Sequence, residues 1–303
     1  MYIKQIVEQF DIKVIKISPI KSAVLSKVYL INDKYILRSR VLENDTIQKF
    51  NNEQNLLNKV RDIVSIKFPN LLSTKSDKNY FIYNNSFWTV YSLIGGEILS
   101  HWWNLEKLSE EQKEKIFKTL KQLHLETIEK LDDIDENNQY NFIKDVYQRL
   151  LDSSNHITAD EYKRVEKAIN IIKKFKNKLS KKDLCFIHGD YHPGNVIFRE
   201  NEVVGLLDFD FSRKDVPFED LAYTLMMFLR DYQKPFEFNE ENYFKFLNWY
   251  GVKKEDFLII NEYLILFTFY DFHLLKYLEQ IPNQDMFFEF QRDFLRDICL
   301  RFT

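Results

Sequence analysis

The chain has 303 residues, and 43 Lys and Arg against 46 Asp and Glu give a formal net charge of −3. This balance argues against a dedicated nucleic-acid-binding protein, and an apolar content of 45% argues against a disordered chain. Two cysteines exclude a disulfide framework, and no apolar run reaches the roughly 18 residues that span a bilayer, so we expect a cytoplasmic protein without a membrane partner.

The first hundred residues have mainly β-strand patterns. A short amphipathic helix is predicted over residues 2–10 and a longer helix over residues 45–61. The turn residues Asn32-Asp33-Lys34 and Asn84-Asn85-Ser86 predict two hairpins, so this region should form a small antiparallel sheet. The predicted strands are Ile12–Ile17, Lys27–Ile31, Tyr35–Arg38, Tyr80–Tyr83 and Phe87–Leu93.

The rest of the chain is mainly helical in pattern from Leu105 onward. Ser109 with Gln112, and Thr158 with Glu161, have the spacing of capping boxes that begin helices. Strand patterns return at Leu184–Ile187, Val196–Phe198 and Val203–Leu207.

The change of pattern falls at the adjacent glycines Gly95 and Gly96. We therefore predict an α+β protein with a β-rich domain over residues 1–95 and a mainly helical domain over residues 96–303.

Glycine is scarce in this chain, which has only six. Such a chain should keep glycine mainly where the backbone conformation requires it. Three of the six, Gly189, Gly194 and Gly205, fall within 17 residues, and this directs attention to the segment around them.

That segment contains Asp190, Asn195 and Asp208 between predicted strands. If the hairpin over residues 196–207 turns at Asn201-Glu202, Asn195 and Asp208 become cross-strand neighbours. An amide oxygen and a carboxylate held side by side suit a hard cation such as Mg²⁺, which takes its other ligands from water and phosphate.

These residue types match the needs of phosphoryl transfer. One carboxylate must accept the proton of the attacking hydroxyl, and metal-binding groups must neutralise charge on the triphosphate. Asp190 and Asn195 keep the gap of four residues seen between the catalytic Asp and Asn of protein kinases, and Asp208-Phe209 keep the start of Asp-Phe-Gly.

The run His-Gly-Asp-Tyr-His-Pro-Gly-Asn, followed by Leu-Leu-Asp-Phe-Asp, resembles the aminoglycoside phosphotransferase and choline kinase superfamily of small-molecule kinases. Glu219-Asp220-Leu221-Ala222 is similar to a helix start of that family. The resemblance implies a bilobal protein-kinase-like fold, with a small antiparallel β N-lobe and a larger, mainly helical C-lobe. It also implies Asp190 as the catalytic base, and Asn195 and Asp208 as ligands of Mg²⁺.

The same resemblance extends to the N-terminal region, which would bind ATP or GTP. Ser26-Lys27-Val28-Tyr29 resembles the nucleotide loop, and residues 91–95 would read the base. Arg38 stands where the family commonly has a phosphate-binding Lys, with Lys27, Lys34 and Arg40 as alternatives. The nucleotide-binding residues implied in this way are Ser22, Ser26, Arg38, Glu53, Tyr91 and Leu93.

The resemblance implies transfer of the nucleotide γ-phosphate to a hydroxyl of a small acceptor. The acceptor site would lie in the C-terminal helices, whose acidic and aromatic residues would bind the acceptor if it is cationic. An aminoglycoside phosphotransferase-like enzyme is the leading hypothesis, and a choline, amino-alcohol or sugar kinase is the alternative.

Three other classes stay open. A protein kinase is disfavoured because 11 residues between Asp208 and Asp220 leave no room for an activation loop. A non-catalytic nucleotide-binding protein would accommodate Arg38 in place of Lys. A metal hydrolase would use His188, Asp190 and His192, which are metal-ligand types at alternating positions.

Overall fold

The structure is a computed structural model that describes residues 2–20, 27–98, 105–131, 141–153, 156–230, 238–277 and 284–303. The helices are α1 (Tyr2–Glu8), α2 (Thr46–Arg61), α3 (Glu110–Thr127), α4 (Phe142–Asp152), α5 (Ala159–Lys176), α6 (Pro217–Leu229), α7 (Glu240–Tyr250), α8 (Phe257–Tyr277) and α9 (Gln284–Arg301). The strands are β1 (Ile17–Ile20), β2 (Val28–Ile31), β3 (Tyr35–Val41), β4 (Phe81–Tyr83), β5 (Ser86–Ser92), β6 (Glu97–Ile98), β7 (Cys185–Ile187), β8 (Val196–Arg199), β9 (Glu202–Leu206) and β10 (Arg213–Asp215).

The chain divides into two compact units. One contains residues 1–100 together with 196–207, and the other contains residues 101–195 together with 208–303. The sequence analysis assigned residues 196–207 to the helical domain. They join the first unit because β8 pairs with β6 as well as with β9.

The first unit is built on a five-stranded antiparallel sheet with the order β1-β2-β3-β5-β4. The predicted hairpin at Asn84-Asn85 is confirmed. Both residues have positive φ, at 46° and 53°, and Tyr83 pairs with Ser86 across them. Asparagine tolerates this left-handed conformation better than most residues, which explains why the turn was visible in the sequence.

Helix α1 covers one face of this sheet. Ile6 and Val7 are fully buried there, in a cluster that includes Leu37 and Val90 from β3 and β5. Burial of one such side chain contributes roughly 1.5–3 kcal/mol. Because a helix this short is unstable in isolation, its packing against the sheet stabilises the predicted N-terminal helix. From α2, the Phe50 ring meets the Phe87 ring of β5 at 4.9 Å.

The predicted strand Ile12–Ile17 is wrong. The first strand begins at Ile17 instead, and the residues before it bond to a side chain. The Oδ1 atom of Asn32 accepts the backbone N–H groups of Ile15 and Lys16 at 2.8 and 3.0 Å, and its Nδ2 donates to the Lys13 carbonyl at 2.8 Å. One amide thus takes the backbone groups that a neighbouring strand would need.

The predicted register of the 196–207 hairpin is also wrong. Val196 pairs with Leu206, and a bulge next to Phe198 shifts the pairing to Arg199 with Glu202. The turn falls one residue earlier than predicted, with Glu200 at φ 58°. Strand pairing therefore does not make Asn195 a direct cross-strand neighbour of Asp208.

The second unit is mainly helical. Both predicted capping boxes are present, at the starts of α3 and α5. Helix α8 packs against α5, α6 and α9, and residues 262–269 are buried in succession. The segment Lys254–Leu274 is long and apolar enough to cross a bilayer, and 61% of its most apolar window is buried inside the protein. A position at the centre of the helical core accounts for that composition.

The antiparallel sheet of the N-terminal region and the helices of the C-terminal part confirm the predicted α+β, protein-kinase-like fold class.

Candidate active site

The segment that connects β7 to β8 carries the predicted catalytic residues. Its start is held by Asp220, which lies in the first turns of α6 and is 1% exposed. The Asp220 Oδ2 accepts the backbone N–H of His188 at 2.6 Å, and its Oδ1 accepts the N–H of Gly189 at 2.7 Å. Both oxygens of one buried carboxylate therefore fix the backbone immediately before Asp190.

Asp220 is itself held by residues of α3 and α7. His124 Nε2 lies 3.2 Å from Asp220 Oδ2, and His124 Nδ1 lies 2.7 Å from the hydroxyl of Tyr250. Burial alone would raise the pKa of Asp220, but the hydrogen bond and charge of His124, together with His188, outweigh it and lower that pKa. Asp220 is thus kept ionised at the centre of the unit.

Gly189 meets a strict requirement of this backbone path. Its φ is +79°, and a Cβ atom placed there would collide with the carbonyl group of Phe211. Only glycine satisfies both the left-handed conformation and the close approach of the neighbouring backbone. The glycine-poor composition therefore did direct attention to a constrained position.

The structure brings Asp190 and Asn195 together. The Asn195 Nδ2 donates to the Asp190 carbonyl at 2.9 Å and to its Oδ2 at 3.0 Å. Tyr223 of α6 donates from its hydroxyl to Asp190 Oδ1 at 2.5 Å. Burial would raise the pKa of Asp190, but the charge and hydrogen bond of His192, the hydrogen bond of Tyr223 and the charge of His188 lower it, so this carboxylate is ionised at neutral pH.

Both histidines of this segment bond to its backbone. The Asp190 N–H donates to His188 Nδ1 at 3.3 Å, and the Gly194 N–H donates to His192 Nδ1 at 3.0 Å. Over the described residues there is no group of three or more His, Cys, Asp or Glu side chains able to hold a metal ion. In the segment itself, each of the two Nδ1 atoms is occupied by a backbone N–H.

Asp208 follows β9 in a left-handed conformation, with φ 60°. Such a conformation costs a non-glycine residue about 1 kcal/mol or more and is found at turns and functional sites. The next residue, Phe209, is buried, and its ring centroid lies 4.9 Å from that of His188. The turn at Asp208 thus packs against the segment that carries Asp190.

The donor set suits Mg²⁺. The amide nitrogen of Asn195 is committed to Asp190, so its amide oxygen is the atom left to face a cation. An amide oxygen and the carboxylate of Asp208 are hard oxygen ligands, and Mg²⁺ needs only one or two of these when nucleotide phosphates and water supply the rest.

An acidic residue of α8 lies in the electrostatic neighbourhood of Asp190. Burial raises the pKa of Asp271, the adjacent Arg230 partly offsets the rise, and the Asp190 charge adds to it. The Arg230 guanidinium lies 3.1 Å from Asp271 Oδ2. Glu262, by contrast, forms a buried ion pair with Arg164 and belongs to the core.

In the first unit, the predicted phosphate-binding strand β3 carries two arginines on one face. Arg40 forms an ion pair with Glu53 of α2 at 3.0 Å, and its guanidinium lies over the Phe50 ring at 5.8 Å. Glu53 therefore pairs with Arg40, which is one of the alternatives to Arg38 on this strand.

Tyr91 belongs to the same electrostatic environment. Burial raises its pKa to about 12, with a further contribution from the Glu53 charge, while Arg40 and Arg38 act in the opposite direction. Leu93 is exposed just beyond β5, and its N–H donates to the Lys34 carbonyl at 2.9 Å. Ser22 and Ser26 lie outside the described residues.

Sequence reasoning missed the functions of Asp220, His124 and Tyr223. A carboxylate among the apolar residues of α6 was a signal for Asp220, since a buried charge needs partners. No local pattern distinguishes His124 or Tyr223, because the residues they contact are distant in the sequence. His124 is 96 positions from Asp220, and Tyr223 is 33 positions from Asp190.

Solved structures with the same fold are complexes with nucleotides and with small molecules. The GDP and kanamycin complex of APH(2")-IIIa shares 16% identity, covers 99% of this chain and 98% of that chain, and has a TM-score of 0.71. The amicoumacin kinase hAmiN, in complex with AMP-PNP, Ca²⁺ and Ami, shares 15% identity over 94% and 88%, with a TM-score of 0.68. The ADP-bound APH(2'')-Ib shares 18% over 98% of each chain, with a TM-score of 0.61. At these identities the likeness establishes the fold.

Curated protein sequences include no match to this chain. The APH model, described as the phosphotransferase enzyme family, matches residues 16–242, about three quarters of the chain and a range that contains Asp190, Asn195, Asp208 and Asp220. The chain therefore belongs to the phosphotransferase enzyme family.

Proposed function

We propose that this protein catalyses Mg²⁺-dependent transfer of the γ-phosphate of ATP or GTP to a hydroxyl group of a small molecule, as an aminoglycoside phosphotransferase does. The observation that carries this proposal is the contact between Asp190 and Asn195 on a backbone fixed by Asp220. An ionised carboxylate next to an amide with a free oxygen combines a proton acceptor with a metal ligand in one segment.

The chemistry of the step follows from these groups. Asp190 accepts the proton of the acceptor hydroxyl while the acceptor oxygen bonds to the γ-phosphorus and the bond to the nucleoside diphosphate breaks. Asn195 and Asp208 would hold Mg²⁺, which when bound neutralises charge on the phosphate oxygens. A lowered pKa suits Asp190 to this task, because it is already deprotonated at neutral pH.

The nucleotide-binding residues proposed for the first unit are Arg38, Glu53, Tyr91 and Leu93, with Ser22 and Ser26 near the phosphates. Glu53 orders Arg40, the neighbour of Arg38 on the same face of β3, through their ion pair. Arginine holds phosphate with two parallel hydrogen bonds, so Arg38 can replace the more common Lys. The buried, reduced cysteines Cys185 and Cys299 and the proposed nucleotide donor fit a cytoplasmic enzyme.

The acceptor is proposed to be a small hydroxylated and cationic molecule. The Asp190 charge acts on Asp271, so the two carboxylates lie within electrostatic range of each other, and the ionised carboxylate of Asp190 would attract an ammonium group. Kanamycin and amicoumacin are bound by proteins of the same fold. They are the first acceptors to test here, and choline, ethanolamine and simple sugars represent the alternative classes.

The test is a nucleoside-diphosphate release assay with MgATP and with MgGTP over that panel of acceptors. We expect acceptor-dependent release that Asp190→Asn abolishes while nucleotide binding, measured by titration, is nearly unchanged. The matched control is Asp160→Asn, an exposed residue in the first turn of α5. Nucleotide binding without turnover on any acceptor or on water would favour the non-catalytic alternative, and full activity of Asp190→Asn would refute the base.

A further inference from the structure

Tyr223 holds the carboxylate of Asp190 from a second element. Its hydroxyl donates to Oδ1 at 2.5 Å, and Asn195 donates to Oδ2 at 3.0 Å. Asn195 belongs to the same segment as Asp190, whereas Tyr223 belongs to α6. Because each oxygen has its own donor, the carboxylate cannot rotate about its Cβ–Cγ bond without breaking a hydrogen bond.

The position of the Tyr223 ring is fixed by packing. Its ring meets that of Phe267 on α8 edge-on, with centroids 5.3 Å apart and an interplanar angle of 62°. Phe267 in turn stacks on Phe142 of α4 at 4.1 Å. Aromatic contacts of this kind orient a side chain as well as burying it. Two further helices thus determine where the Tyr223 hydroxyl points.

The charges around Tyr223 keep it a hydrogen-bond donor. Burial raises its pKa well above the ordinary value, the Asp190 carboxylate and Asp271 raise it further, and Arg230 acts in the opposite direction. His192 lies 3.7 Å from the other side of the same carboxylate. Tyr223 therefore retains its proton and is not a candidate base in its own right.

We propose that Tyr223 is a positioning residue for phosphoryl transfer, which fixes the orientation in which the Asp190 carboxylate meets the acceptor hydroxyl. This inference rests on the proposed function. In the transfer, the acceptor proton moves to Asp190, the new O–P bond forms and the nucleoside diphosphate leaves with the electron pair of the broken bond. Tyr223 keeps its proton throughout. Small misplacements of a reacting group can cost about a hundredfold in rate.

The test is the Tyr223→Phe variant, which removes one oxygen and leaves the ring contacts in place. The measurement is a single-turnover rate constant with enzyme in excess over labelled MgATP and with kanamycin as acceptor, or water if kanamycin is not phosphorylated. When the folded enzyme is kept well above the dissociation constant of MgATP and the acceptor is saturating, this rate constant does not depend on how much of the enzyme is folded, so a merely structural function of Tyr223 would leave it unchanged. We expect a fall of about ten- to a hundredfold, with the dissociation constant of MgATP within about twofold of the wild-type value.

The matched control is Tyr243→Phe. The Tyr243 hydroxyl also donates at 2.5 Å to a side-chain oxygen, that of Asn261, and the residue is 2% exposed. We expect this variant to lose stability but to keep the single-turnover rate constant. An unchanged rate constant in Tyr223→Phe, with Asp190→Asn inactive, would overturn only the positioning of Asp190 by Tyr223. Wild-type rates in Asp190→Asn would instead refute Asp190 as the base, and the absence of any transfer in the wild-type protein would overturn the proposed function.

Discussion

Asp220 accepts the backbone N–H of Gly189 at 2.7 Å through one carboxylate oxygen, while its other oxygen accepts the N–H of His188 at 2.6 Å. The carboxylate is fully buried, so these bonds form in a medium of low polarity, where charge-assisted bonds are strong. The proposed base, Asp190, follows directly in the chain. Its position therefore depends on a residue about thirty positions away.

Asp220→Asn should destabilise the protein and abolish phosphoryl transfer. An amide has only one acceptor oxygen, so its NH₂ group would face one of the two backbone N–H donors. Hydrogen bonds to a charged group contribute about 1.5–3 kcal/mol each, and we expect the free energy of unfolding to fall by about 3 kcal/mol. Urea denaturation measures the change. A loss below about 1 kcal/mol would show that Asp220 does not anchor this segment.

The same variant should change the pH dependence of stability. Because the pKa of Asp220 is lower in the folded protein than in the unfolded chain, its contribution is fully present above the unfolded value, about 3.9, and is lost as pH falls through the folded value. We expect the stability difference between wild type and Asp220→Asn to shrink as the pH falls below about 4. Urea denaturation at a series of pH values between 3 and 7 tests this. A stability difference between the two proteins that stays constant down to pH 3 would contradict it.

Gly189→Ala and Gly251→Ala form a matched pair. Both glycines have φ near +80°, so each alanine costs about 1–2 kcal/mol in backbone strain. A Cβ atom at Gly251 meets the flexible end of the Lys121 side chain, whereas one at Gly189 meets the backbone of Phe211. We therefore expect Gly251→Ala to lose stability but to keep its activity. Gly189→Ala should lose more stability and should also lose its activity. Thermal unfolding and diphosphate release measure both effects, and equal behaviour of the two variants would contradict the difference.

Local chemistry explains which elements could be predicted from the sequence. The capping boxes at Ser109 and Thr158 and the hairpin at Asn84-Asn85 depend on residues within three or four positions, and all three are confirmed. The segment that carries the proposed base was found because Gly189 and Asp190 stand in a specific motif.

Contacts between distant residues explain the errors and the omissions. The side chain of Asn32 bonds to the backbone of Lys13, Ile15 and Lys16 in place of a neighbouring strand, and a bulge next to Phe198 shifts the hairpin register. Neither event has a signature at the positions it affects. Tyr223 reaches Asp190 only after α6 has packed, so its contact could not be predicted from spacing.

Glu262→Gln should be strongly destabilising without a direct effect on the chemistry. Glu262 holds Arg164 through two bonds at 2.6 and 2.9 Å, and Arg164 also donates to the Phe302 carbonyl at 2.6 Å. Loss of one partner leaves a buried charge, so we expect the free energy of unfolding to fall by about 3–5 kcal/mol.

The double variant Arg164→Met with Glu262→Leu removes both charges and should recover much of that loss, because buried ion pairs are often no more stabilising than apolar side chains. The exposed pair of Asp293 and Arg296 provides the control, where Asp293→Asn should cost less than about 1 kcal/mol. A double variant as unstable as Glu262→Gln would show that packing, rather than charge, explains the loss.

Arg38→Ala and Arg40→Ala should separate nucleotide binding from stability in the first unit. Arg40 is largely buried in its contact with Glu53 and lies over Phe50, so its loss leaves the Glu53 carboxylate without that partner and should cost about 1–2 kcal/mol of unfolding free energy.

Arg38 is the proposed phosphate-binding cation, and its loss should weaken MgATP binding about tenfold, equivalent to about 1.4 kcal/mol. Arg38→Lys should keep part of the affinity, because lysine retains the charge but not the two parallel hydrogen bonds. Nucleotide titration and urea denaturation of all three variants provide the test, and a larger loss of affinity in Arg40→Ala than in Arg38→Ala would reassign the phosphate contact to Arg40.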